Sequence, residues 1–203
     1  MAVVPGVAGD PAVAMERVHE AVAEGADIVG VSGGPGGEVD SREEIRRVVP
    51  LISTVRDAYP ELVIGVSTGR DEVAREACAA GADLLNDVLS GPLLGVAAEF
   101  GAGVVCSQAL AARAVEAGVE PERVIIGAEG SRQMADLMAT RWPVLVSLLD
   151  ENQARELARA AVFGWLGARV FGVQRVRETR RALSMVSAIR GDVPPAYAVR
   201  GLA

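Results

Sequence analysis

Gly81-Ala82-Asp83-Leu84-Leu85 joins a stretch of helical spacing, rich in Ala, Glu and Arg, to a short apolar run, and the same joint recurs along the chain. Gly25-Ala26-Asp27-Ile28-Val29, Gly101-Ala102-Gly103-Val104-Val105 and Gly167-Ala168-Arg169-Val170-Phe171 repeat it. Glycine suits the left-handed position that ends a helix, and a short aliphatic run without polar alternation reads as a strand covered on both faces. The repeated unit is a helix passing into a buried strand, the joint of a βα repeat.

Adding the weaker copies gives eight short apolar runs, near residues 3–7, 27–31, 62–66, 83–88, 103–106, 123–126, 144–148 and 169–173, with amphipathic stretches between them. In the first such stretch Ala14, Val18, Ala21 and Val22 share one face, while Glu16, Glu20 and Glu24 lie elsewhere. Ser41 with Glu44 reads as a capping box opening a helix that runs to about residue 58. Eight units in 203 residues leave roughly 25 residues each, the lower end of the range for a (β/α)8 barrel. An open doubly wound sheet is the rival, but it needs fewer strands at this length and usually a clearer phosphate loop. The expected fold is α/β, a compact (β/α)8 TIM barrel with shortened loops. One barrel spans residues 1–193, and residues 194–203 form a C-terminal tail.

The composition excludes several chemistries. The net charge of −7 and the aromatic content of 3% argue against a nucleic-acid partner, which needs a basic stripe and stacking rings. No apolar run approaches the roughly 20 residues of a membrane span, so a cytoplasmic protein with no membrane partner is expected. All 20 basic residues are Arg, which removes a Schiff-base or phosphate-loop lysine. With one histidine, His19, and two cysteines, Cys78 and Cys106, a His/Cys zinc site of ordinary spacing cannot be assembled. His19 reads as a surface residue and both cysteines as small core fillers.

A barrel carries its site at the carboxyl ends of its strands. Those ends supply Ser32 with a glycine loop through Gly37, then Ser67, Thr68 and Arg70, then Asn86 and Asp87, then Gln108, Glu129 and Gln174. The glycine loop could present N–H groups to an anion or simply form a tight turn. Asn86 and Asp87 could meet the edge of a flat heterocycle, hold a metal, or cap the next turn. Arg70 could bind a phosphate or be solvated. Glu129, Asp150 and Glu151 could form a metal or acid/base group, or serve helix dipoles.

Four segments, in this order, resemble dihydropteroate synthases, the pterin-binding barrels of folate biosynthesis. Residues 24–29 (EGADIV) lead into Gly33-Gly34-Pro35-Gly36 and then residues 41–50 (SREEIRRVVP), similar to that family's second loop and helix. Val66-Ser67-Thr68-Gly69-Arg70 resembles its Val-Asp-Thr signature, and residues 80–88 (AGADLLNDV) its Asn-Asp-Val strand. Residues 176–203 are similar to actinobacterial members.

The resemblance also shows what is missing. The family's first loop, Asn-x-Thr-Pro-Asp-Ser-Phe, which binds Mg²⁺ and the leaving pyrophosphate, stands here as residues 5–11 (PGVAGDP). Gly30 replaces an acid ahead of the second loop, and Ser67 replaces the aspartate of Val-Asp-Thr. Gly127-Ala128-Glu129 stands for Asp-Pro-Gly, Leu149-Asp150-Glu151 for Ser-Arg-Lys, and Gly172-Val173-Gln174 for Arg-x-His. Only Asn86 keeps its binding position. Losing one group that stabilises leaving-group charge typically costs about 10²–10³ in rate, and here they are lost together.

The expectation is a barrel without catalytic residues and without a resident cofactor, acting through protein contacts as a homodimer or beside an active paralogue. In the seventh helix Ala154, Leu157, Ala158, Ala161, Val162 and Trp165 read as the core-facing stripe, which leaves Phe163 exposed for a partner. Phe163 and Trp165 are the interface candidates. The alternative is a repurposed pocket for a pterin-like heterocycle, read by Ser32, Thr68, Asn86, Gln108, Glu129 and Gln174.

Overall fold

The computed structural model describes residues 2–3, 11–33, 40–88, 91–128, 134–149 and 152–193, with side chains at all of these except 2–3, 87–88, 135 and 138. Strands and helices alternate: β1 (Ala2–Val3), α1 (Pro11–Ala23), β2 (Ile28–Ser32), α2 (Ser41–Ala58), β3 (Val63–Ser67), α3 (Asp71–Ala79), β4 (Leu84–Val88) and α4 (Gly91–Phe100). The second half follows as β5 (Gly103–Cys106), α5 (Gln108–Glu116), β6 (Val124–Ala128), α6 (Met134–Met138), β7 (Val144–Ser147), α7 (Gln153–Leu166), β8 (Val170–Gly172) and α8 (Val176–Arg190). The strands form one parallel sheet in the order β1 to β8. Strands β2 to β8 have three to five residues each, and β1 has two.

The sheet curls. Cα atoms of β1 and β8, at the two ends of the order, come within 8 Å of each other. Among the described residues no hydrogen-bonded ladder joins these two strands; the pairings run from β1–β2 through β7–β8. The rest of the expected first strand, residues 4–7, lies outside the described residues, as does the tail 194–203.

Side chains alternate across a strand, so each strand serves two cores. Val29, Val31, Ile64, Val66, Leu85, Val104, Ile126, Val144, Val146 and Phe171 belong to the large cluster that includes the helices' buried faces. Leu84, Val105 and Leu145, with Ile28, Ile125 and Val170 against them, form a second cluster on the concave side. Gly30, Gly65, Gly103, Gly127 and Gly172 share that inward phase and contribute little volume. Leu84 fills the space they leave, since a Cβ at Gly65 would lie 3.6 Å from its Cδ2 and one at Gly103 would lie 3.1 Å from its Cδ1.

Two glycine joints are latched by arginine. Gly81 turns the chain at φ +111°, and Arg56 of α2 donates to its carbonyl at 2.8 Å. Arg56 also pairs with Asp83, whose carboxylate accepts from the Ile64 N–H at 2.8 Å. At Gly25, φ +93°, Arg180 of α8 donates to the carbonyl at 2.7 Å and to Asp27 at 2.9 Å. The aspartate of the Gly-Ala-Asp motif is thus the acceptor that fixes a neighbouring helix to the foot of a strand.

The expected capping box at Ser41 is corrected. Asp40 is the N-cap, its carboxylate accepting from Glu43 N–H at 2.8 Å. Ser41 begins the helix proper and donates to Glu72 at 2.7 Å, while Glu44 turns to Arg70. Aspartate is as good a cap as serine, and its position one residue earlier frees both members of the supposed box for contacts between helices. No helix among the described residues is long and apolar enough to cross a membrane.

Candidate functional site

Strand register builds the floor of the site. Ser32 lies opposite Ser67, and Ser67 opposite Asn86, so three polar residues form one row across the carboxyl ends of β2, β3 and β4. All three sit in the inward phase of their strands. Asn86 Nδ2 donates to Ser67 Oγ at 3.3 Å, and its Oδ1 is buried without a hydrogen-bond partner in the structure. Across the sheet Ser147 lies opposite Gly172 and places a further hydroxyl in the inward phase at the carboxyl end of β7. Ser147 went unrecognised in the sequence, although its spacing of two from Leu145 was the available signal.

Beyond this row the strand ends are braced by ion pairs rather than left open. Thr68 is buried, and its Oγ1 accepts from Arg70 N–H at 3.2 Å in the turn after β3. The guanidinium of Arg70 pairs with Glu44, a buried carboxylate on α2. Arg47, one turn further along α2, donates to the Gly33 carbonyl at 3.2 Å. Gly33 has to be glycine for this approach, since a Cβ there would stand 2.5 Å from Glu44 Cγ. A second pair closes the far side: Arg175, directly before α8, donates to Glu156 in the first turn of α7. Glu156 is fully buried, with its other oxygen lacking a partner in the structure.

These pairs decide what the site can do. Arg70 and Arg175, the cations at the described strand ends, are each committed to a buried carboxylate. What remains among the described residues is a neutral row of hydroxyl and amide groups, which can read a heterocycle edge and offers no charge to set against a pyrophosphate. Both Glu44 and Glu156 were absent from the sequence-based candidates because acids early in a helix ordinarily serve its dipole.

The other predicted residues fall apart from the row or outside the described residues. Gln108 and Gln174 are exposed, at the start of α5 and just after β8. The Asp87 side chain, Glu129, Asp150, Glu151 and the loop from Gly34 to Gly37 are outside the described residues. Cys78 and Cys106 are buried thiols whose pKa values burial pushes up to about 11. His19 meets the Tyr59 hydroxyl at 2.5 Å on an exposed surface between α1 and α2. Residues 5–10, in the stretch that stands where the family the chain resembles has its Mg²⁺ loop, lie outside the described residues. No cluster of three or more His, Cys, Asp or Glu forms among the described residues, and Ser32, Ser67 and Asn86 offer no anionic oxygen.

A family model described as "Pterin binding enzyme" matches residues 5–112. A protein named "Inactive dihydropteroate synthase 2" from Mycobacterium tuberculosis is 39% identical over 98% of this chain and 82% of its own length. Its namesake from Mycobacterium leprae is also 39% identical, over 94% of this chain and 87% of its own. The chain belongs to the pterin-binding enzyme family. The solved structure of Mycobacterium tuberculosis Rv1207 superposes on this pterin-binding family member with a TM-score of 0.85 at 40% identity, covering 96% of this chain and 94% of that one. Yersinia pestis dihydropteroate synthase, solved with a pterine-sulfa conjugate, shares the fold at 22% identity, with a TM-score of 0.83 over 94% of this chain and 93% of its own.

The expected orientation of the seventh helix is corrected. Phe163 is buried at 5% exposure, under the Arg159 guanidinium, whereas Trp165 is 54% exposed. The inward face of α7 is Glu156, Ala160 and Phe163, spaced i, i+4, i+7. Glu156 occupies a core position in which Arg175 meets it, and the helix is turned away from the stripe that apolar spacing alone suggests. Val162, Trp165 and Leu166 consequently face outward.

Proposed function

We propose that this family member is a non-catalytic dihydropteroate synthase paralogue that works through protein contacts, pairing with a second copy of itself or with an active paralogue. The observation that carries the proposal is the outer face of α7 and α8. Val162, Trp165 and Leu166 on one helix and Met185 and Ile189 on the other are each between 47% and 66% exposed. The helices are held close: a Cβ at Gly164 would lie 2.6 Å from Leu183 Cδ2, and Arg190 of α8 donates to the carbonyls of Gly164 and Trp165. A large exposed apolar face marks an interaction surface, and a two-fold contact lets one such face cover its own copy. The committed strand-end arginines support the non-catalytic half of the reading, as do the relatives that carry the word inactive in their names. The structural frame we propose is one closed (β/α)8 barrel over residues 1–193 with a tail at 194–203, in a cytoplasmic protein connected to folate biosynthesis. The seam is supported by the Arg180 latch, which repeats that of Arg56. Sedimentation equilibrium of the full chain tests the contact. A dimer that dissociates in Trp165→Glu is expected, and a species monomeric at high concentration, both alone and mixed with an active synthase, defeats it.

A second reading rests on Asn86, whose buried, unpartnered Oδ1 beside Ser67 suits the donor edge of a pterin or similar heterocycle. Calorimetric titration with a pterin pyrophosphate and Mg²⁺ tests it, with an active synthase alongside. Binding that disappears in Asn86→Ala favours a repurposed pocket; absence of heat with the wild-type chain removes it.

A further inference from the structure

The amino-terminal ends of β7 and β8, on the opposite side of the sheet from the polar row, hold a cavity of about 420 Å³. Its lining is Thr140, Arg141, Trp142, Pro143, Gly167 and Arg169. The Arg141 guanidinium lies over the Trp142 ring, 4.4 Å from its centroid, a stack that holds the guanidinium plane and leaves its N–H edges for an acceptor. Arg169 is anchored through its backbone, its N–H donating to the Val144 carbonyl at 3.1 Å. Thr140 donates its hydroxyl to the Leu137 carbonyl at 2.7 Å, so the charged donors lining this cavity are the two guanidinium groups.

Two cations line this cavity in a chain whose net charge is −7. The chain carries 27 acids against 20 arginines, and Arg46, Arg47, Arg56, Arg70, Arg75, Arg123, Arg175 and Arg180 all pair with acids. Arg141 and Arg169, like Arg17, Arg42, Arg113 and Arg181, have no acidic partner among the described residues, and these two line one cavity. Two like charges around one space favour an anion between them, and planar guanidinium forks match the oxygens of phosphate. Arg169 also lines an adjoining cavity of about 480 Å³ with Ser187, Leu183, Arg190 and Asp192, where the Asp192 carboxylate is paired with Arg190 at 3.1 Å, and this cavity gives room for more than a bare ion.

We propose that this cavity binds the phosphate group of a small molecule between Arg141 and Arg169, independently of the strand-end face and of any pterin. The chain has 2 tryptophans, so Trp165→Phe leaves Trp142 as the sole indole reporter beside the site. Fluorescence is followed during titration with inorganic phosphate and, separately, with glycerol 3-phosphate, at ionic strength held constant with chloride. A saturable change is expected, weakened about tenfold or more by Arg169→Ala. Tighter binding of the ester assigns a phosphorylated metabolite, and equal or weaker binding of the ester assigns free phosphate. Chloride acting as well as phosphate overturns the proposal. So does an unchanged affinity in a folded Arg169→Ala variant, with calorimetry on Arg141→Ala as the check that does not depend on the stacked indole.

Discussion

Arg180 of α8 grips Asp27, the residue that leads into β2, at 2.9 Å, and in doing so ties the last helix of the chain to the first helix–strand joint. Arg56 of α2 holds Asp83 ahead of β4 in the same way. In both cases the arginine lies on the helix preceding the one that ends at the joint, if α8 is counted as the neighbour of α1. The same latch therefore operates inside the repeat and across the seam between its ends.

The two latches differ in burial, and their removal should differ accordingly. Arg56 is a quarter exposed and also donates to the Pro60 and Leu62 carbonyls at 2.6 and 2.9 Å, whereas Arg180 is half exposed. Arg56→Ala is expected to lower the unfolding free energy by about 2–4 kcal/mol, through several charge-assisted hydrogen bonds lost together. Arg180→Ala should lower it by about 1 kcal/mol or less. Urea denaturation with an unchanged slope reads both; equal losses would contradict the argument from burial.

Glu156 and Arg175 form the most deeply buried charge pair among the described residues. Glu156→Ala leaves a guanidinium without its carboxylate and should cost about 3–5 kcal/mol. Glu156→Leu combined with Arg175→Met should recover most of that loss, since the pair bears a desolvation penalty that apolar side chains avoid. A double variant no more stable than Glu156→Ala would show that the pair does more than neutralise itself.

Phe163 and Trp165, two residues apart on α7, should separate stability from association. Phe163→Ala opens the core and is expected to cost about 3–5 kcal/mol. Trp165→Glu sits on the surface and should change monomer stability by about 0.5 kcal/mol or less. Light scattering and thermal melts on the two variants give the comparison, and a large stability loss confined to Trp165→Glu would restore the opposite helix orientation.

Alkaline titration should expose the buried thiols. In the folded state Cys78 and Cys106 ionise near 11 rather than the ordinary 9.0, because burial penalises the thiolate. Each contributes stability that is present in full below 9 and lost as the pH rises through 11, since the unfolded chain releases its protons first. The slope is at most about 1.4 kcal/mol per pH unit for each thiol. The absence of lysine removes one competing titration in this range. Cys78→Ala with Cys106→Ala should flatten the stability curve between 9 and 11, and native thiol labelling near neutral pH should be slow.

Much of the frame was legible from local pattern. Ala14, Val18 and Ala21 form the buried face of α1 as their spacing indicates. The Gly-Ala joints at Gly25, Gly81, Gly101 and Gly167 all adopt positive φ where helix gives way to strand. Ser32, Ser67 and Asn86 are legible as strand-end residues and lie in one register row. Arg70 was legible as a strand-end cation but not as the partner of Glu44, because the two are 26 residues apart and the pairing depends on how α2 sits over β3.

The sequence by itself determined the order and type of the elements and the parallel repeat, because those follow from spacing and residue chemistry along the chain. Tertiary structure alone decided which charges turn inward. Glu44 and Glu156 look like ordinary helix-opening acids until the fold brings Arg70 and Arg175 to them. Burying a carboxylate is unfavourable in isolation and becomes tolerable only when a distant segment delivers its counter-charge. On α7 that pairing accompanies a helix orientation with Phe163 inside and Trp165 out.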